Sequence, residues 1–78
     1  MAIQKKEENV NNFDFIQPEL DYILANAHFT KDQEKVFNRL TDREGRQTIV
    51  KISMEENMST AKVNRIIRQI KFKIFRLL

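Results

Sequence analysis

The last part of this chain constrains the rest. From Asn57 to Leu78 there is no carboxylate, while Lys62, Arg65, Arg68, Lys71, Lys73 and Arg76 recur along it. Stepping ~100° per residue, Val63, Ile66, Ile67, Ile70, Ile74, Leu77 and Leu78 fall in one apolar stripe. Ala61, Arg65, Arg68 and Phe72 gather on the opposite meridian, with Lys62, Asn64, Lys71, Lys73 and Arg76 between. The pattern predicts a long helix that needs a core along one flank and offers guanidinium forks and amides along the other. Just before it, Asn57-Met58-Ser59 reads as a tight turn, with Asn57 at a left-handed corner and Ser59 capping the helix.

The charge is divided unevenly. Residues 1–56 hold 8 basic and 11 acidic side chains and carry −3, whereas residues 57–78 carry +6, so the overall +3 hides the contrast. Such asymmetry points to one anion-facing surface on an otherwise ordinary domain, set against the plainer reading of a solvated basic helix. With 78 residues there is room for one small domain, and a hydrophobic fraction of 41% suffices for one core. A single Gly and a single Pro argue against an all-β chain, which needs many turns. The absence of cysteine excludes disulfide frameworks and thiolate metal sites. No apolar run approaches the ~20 residues of a membrane span. MAIQKKEENVNN lacks the apolar stretch of a secretory signal, so a cytoplasmic location is expected.

Enzyme chemistry finds no foothold. His28 is the sole histidine and reads as a surface or capping residue. There is no paired-histidine metal motif, Gly-rich phosphate loop or nucleophile elbow, and no cofactor is expected. Glu55 and Glu56 are adjacent, so on a helix they diverge by ~100°. They read as solvated charges, with Lys51 and Glu55 as an i, i+4 pair.

Taken in order, residues 1–12 are polar and aperiodic and read as a mobile tail ahead of a single helical domain over 13–78. Phe13, Phe15 and Ile16 are apolar enough to pack back onto the domain or a partner. A first helix is expected from Pro18, suited to a helix start, with Leu20, Ile23, Leu24 and Ala27 facing the core. It should end near Asn26 to His28. A second opens at Thr30 with the capping-box form Thr30-Lys31-Asp32-Gln33. It buries Val36, Phe37 and Leu40, and Phe29 covers its start. Residues 41–47 form a loop with Gly45 as its left-handed position. Residues 48–54 alternate well enough for a strand, Val50, Ile52 and Met54 against Lys51 and Ser53. A lone strand has no partner here, however, and a short helix with Ile49 and Ile52 inward is the more coherent reading. The fold class expected is all-α, a four-helix domain.

Side by side, the last two elements resemble a helix-turn-helix over about residues 48–78. Ser53 takes the small-residue position where two helices cross, and Asn57 takes the corner. Met58, Val63 and Ile66 take the apolar positions that lock the second helix onto the first. Preceded by Phe29-Thr30-Lys31-Asp32-Gln33-Glu34-Lys35-Val36-Phe37, the arrangement resembles the promoter-reading C-terminal region of bacterial sigma factors. It is also similar to small sigma-like regulators carried by phages. The resemblance covers about residues 29–78 and departs at Glu56, where the family normally has an apolar residue.

The basic helix and the resemblance together lead to an expectation of transcription regulation by a protein that binds double-stranded DNA, with the last helix in the major groove. Arg65 and Arg68 are the choices for base readout, because bidentate arginine–guanine contacts are the commonest specific ones. Asn64 would pair with adenine. Ser59, Thr60 and Lys62 would hold phosphates, helped by Arg46 and Gln47, and Lys71 is a further candidate DNA contact. The resemblance also implies a second route, docking on RNA polymerase or a sigma factor, for which Phe72 and Phe75 are the candidate contacts. Oligomeric state stays open: most helix-turn-helix readers pair into homodimers, while sigma-like ones act singly.

Overall fold

The computed structural model describes residues 13–42 and 47–77. Among them are four α-helices and no strand: α1 (Gln17–Asn26), α2 (Lys31–Leu40), α3 (Ile49–Glu55) and α4 (Thr60–Leu77). The tail over 1–12, the loop residues 43–46 with Gly45 and Arg46, and Leu78 lie outside the described residues.

The first helix starts one residue before Pro18. Ile16 precedes it in extended conformation and its backbone N–H donates to Glu19 Oε1 at 2.9 Å, which meets the donor deficit of a helix start. Ile23 and Ala27 are buried and Leu20 is partly so. The helical spacing puts Leu24 in the same stripe, but it stands 43% exposed. The reason is width: α1 packs chiefly on one neighbour, α4, which covers an arc centred on Leu20, Ile23 and Ala27, and Leu24 falls at its rim. Ile16 also stays in solvent rather than packing back.

Both arms of the capping box form at the start of α2. Gln33 N–H donates to Thr30 Oγ1 at 3.2 Å, and Thr30 N–H donates to Gln33 Oε1 at 3.1 Å. Val36, Phe37 and Leu40 face inward. Phe37 is the centre of an aromatic cluster, with ring centroids of Phe29 at 5.1 Å, Phe13 at 6.3 Å and Phe15 at 6.4 Å. The aromatics on either side of α1 therefore close over α2.

Residues 49–55 are helical, not extended. Thr48 Oγ1 accepts from Lys51 N–H at 3.2 Å, an N-cap that starts the helix. Ile52 and Ser53 are buried, while Val50 and Met54 point outward, Met54 at 76% exposure. A strand would have put Val50, Ile52 and Met54 on one face. The turn behind it follows from Asn57, whose φ of 55° is the left-handed corner. It lets Met58 N–H reach back to Ser53 C=O at 2.9 Å, the longer bond of a Schellman ending. Ser59 Oγ then accepts from Lys62 N–H at 3.1 Å and opens α4.

All three earlier helices pack chiefly against α4. At 18 residues it is about 27 Å long. Val63, Ile66, Ile67, Ile70 and Ile74 are buried along it, and Leu77 packs at the edge of the same core. Each buried aliphatic contributes about 1.5–3 kcal/mol relative to exposure. α2 and α3 are also tied by charge. Arg39 Nε meets Glu56 Oε2 at 2.6 Å, its Nη1 meets Glu55 Oε1, and the same Nη1 donates to Gln47 Oε1 at 3.0 Å. This corrects the expectation of two carboxylates in solvent. Glu55 does sit 4.0 Å from Lys51, but it and Glu56 converge on one guanidinium. Adjacent residues at a helix end can do so because Glu56 is already leaving the helix as its C-cap.

Candidate nucleic-acid interface

The face of α4 turned away from the core carries the functional candidates. Thr60, Ala61, Asn64, Arg65, Arg68 and Gln69 are exposed, and the helix runs unbroken beneath them. Arg65, Arg68, Gln69 and Phe72 line one open hollow. Among the described residues neither Arg65 nor Arg68 has a carboxylate partner, so both guanidinium forks are available to a ligand. α4 holds no acid of its own, and the nearest pairings of α2 and α3 acids take other cations.

The flanking cations differ from these two. Lys62 Nζ lies 3.6 Å from Asp32 Oδ2, and both side chains remain about half exposed, a pair that water screens readily. Lys71 Nζ sits 5.8 Å from the Phe13 ring centroid. Lys73 is turned inward: Nζ donates to His28 C=O at 3.0 Å and to Gln33 Oε1 at 2.6 Å, and lies 5.9 Å from the Phe29 ring. It thereby satisfies a carbonyl beyond the end of α1, at the residue whose φ of 55° turns the chain away. Arg39 is held above the ordinary arginine pKa, first by the hydrogen bond to Glu56 and then by the attraction of Glu56 and the contacts with Glu55.

The expected phosphate contacts are spread unevenly. Ser59 and Thr60 lie at the exposed N-terminus of α4, where Ser59 Oγ is already occupied by the Lys62 N–H. Gln47 is half-buried and engaged with Arg39, its N–H reaching Arg39 C=O at 3.4 Å. Arg46 lies outside the described residues. Phe72 is 63% exposed, with the Arg76 guanidinium 5.7 Å from its ring centroid. Phe13 and Phe15 do not cover it, since both pack on Phe37. Phe75 is half-buried against the core.

The roles of two α4 residues escaped the sequence reading. Gln69 and Lys73 are joined through Gln33, a contact between residues 36 and 40 positions apart that no local spacing announces. The only signal was Gln33 itself, a capping-box amide placed next to a buried face.

No described group of His, Cys, Asp and Glu residues could hold a metal ion, and no described helix is long and apolar enough to cross a membrane. No family model, curated protein or solved structure matches the chain.

Proposed function

We propose that this protein is a transcription regulator that binds double-stranded DNA sequence-specifically, with α3, the Asn57 turn and α4 acting as a helix-turn-helix of the sigma-like kind. The observation that carries the reading is the pair of exposed guanidinium forks, Arg65 and Arg68, without a carboxylate partner among the described residues, on a rigid helix whose opposite flank is the core. Arginines so held suit the O6 and N7 acceptors of guanine in the major groove. Lys62 and the N-terminus of α4 then meet phosphates, and Asp32 releases Lys62 at little loss. A polarisation titration against random and selected duplexes at two salt concentrations tests this. Affinity should fall steeply with salt, because counterions are released. Arg65→Ala should lose about 1–3 kcal/mol and relax preference at one base position. Lys62→Ala should weaken all sequences alike and flatten the salt slope. Equal and salt-insensitive binding by both variants would contradict the assignment.

A second reading, docking on RNA polymerase or a sigma factor, is favoured by the exposure of Phe72 among arginines. Large aromatics on a solvent face mark contact sites. Such docking would survive salt and fail on Phe72→Ala.

A further inference from the structure

The orientation of the Gln69 amide is set by groups that can only donate. Thr30 N–H and the Lys73 ammonium have no acceptor capacity, and both point at the same atom of Gln33, at 3.1 and 2.6 Å. That atom is therefore the oxygen. The other end of the Gln33 amide is then NH2, a donor, and it meets Gln69 at 3.0 Å. The Gln69 atom facing it must accept, so it is Oε1. Gln33 is only 6% exposed, and both ends of its amide are bonded within the protein. The two donors behind Gln33, Thr30 N–H and Lys73, thus set what an exposed side chain at the far end of the relay offers.

We infer that Gln69, held through Gln33 and Lys73, offers its amide NH2 rather than its oxygen to a DNA base, and so reads a guanine edge in preference to adenine. The inference rests on the proposed DNA binding and adds a specificity residue to it. An unconstrained glutamine recognises adenine with both ends of its amide, accepting from N6 and donating to N7. Here Oε1 already accepts from Gln33 and keeps one lone pair, whereas the N–H bonds of Gln69 are uncommitted beside the hollow it shares with Arg65, Arg68 and Phe72. The side chains of Arg65 and Arg68 add only donors to that hollow. Guanine, with O6 and N7 both accepting, is the base edge that suits such a lining.

Gln33 is a positioning residue and sits too deep to touch DNA, which makes it the informative substitution. Gln33→Glu keeps the acceptor for Thr30 N–H and Lys73 but turns an acceptor toward Gln69. The Gln69 amide must then reverse and present Oε1. Selection from a randomised duplex pool, followed by sequencing, compares the wild type with Gln69→Ala and Gln33→Glu. We expect the wild type to enrich guanine at one position by roughly tenfold, Gln69→Ala to level that position, and Gln33→Glu to exchange it for adenine or cytosine, whose amino groups donate. A wild-type motif that Gln33→Glu leaves unaltered overturns the inference and spares the DNA reading; no enrichment by the wild type overturns both. Side-chain amide signals of the free protein give an arm without DNA. Slow hydrogen exchange of the Gln33 amide and contacts from it to Gln69 are expected, and fast exchange at Gln33 would overturn the relay.

Discussion

Asn57 gives the most direct test of the turn that aims α4. Its φ of 55° lies where an L-residue with an ordinary Cβ is penalised by about 1–2 kcal/mol. Asparagine recovers part of that through its short polar side chain. Asn57→Ala keeps the Cβ and loses the recovery, so it should destabilise by about 1 kcal/mol. Asn57→Gly removes the Cβ clash but frees the unfolded chain, an opposing effect of about 0.5–1 kcal/mol. It should therefore stay within about 0.5 kcal/mol of the wild type. Glycine should thus exceed alanine in stability, the reverse of their order inside a helix, where alanine leads by about 1 kcal/mol. Urea unfolding monitored by circular dichroism measures the three together, and in a domain this small 1 kcal/mol moves the thermal midpoint by about 4–8 °C. Alanine equal to or above glycine would refute the left-handed corner. With it would go the Met58-to-Ser53 bond that the corner permits.

Other substitutions probe the rest of the frame. Ile70→Ala, at a fully buried position on α4, should cost about 2–5 kcal/mol in the same assay, and a loss under about 1 kcal/mol would mean that α4 is not the core element. Arg39→Met should lower the urea midpoint, because Glu56, with a side chain only 13% exposed, loses its nearest cation and keeps only Lys35 at 4.0 Å. By the same reasoning Glu56→Gln should lower it more than Glu55→Gln, and the opposite order would refute the clamp. Phe72→Ala should leave stability within about 0.5 kcal/mol, and a larger loss would mean that something in the monomer covers the ring.

How far the fold could be read from residues varied with length and locality. The α4 stripe was legible because five turns separate a helical period from any other, and each apolar position on it that the structure describes is buried or packed at the core's edge. Thr30 with Gln33, and Asn57 with Ser59, were legible because their partners lie within three residues of one another. Residues 48–54 were ambiguous because a stretch of seven fits periods of 2 and 3.6 almost equally; the Thr48 cap and the contact with α4 decide it. Leu24 was misread because a short helix does not reveal how wide an arc its neighbour covers. The Arg39 clamp and the Gln33 relay were invisible, since both join residues separated by loops or whole helices. Of the candidate site, the outward position of Arg65 and Arg68 came from the helical period. The engagement of Lys62 with Asp32 and of Gln47 with Arg39 did not.

Of the four described helices, the one that the others lean on is made after them. While a ribosome is making α1, α2 and α3, the apolar flanks of those segments have nothing to bury against, and helices of seven to ten residues are marginal alone in water. The chain should therefore stay protease-sensitive until α4 is free to pack, and then gain its protection in a single step.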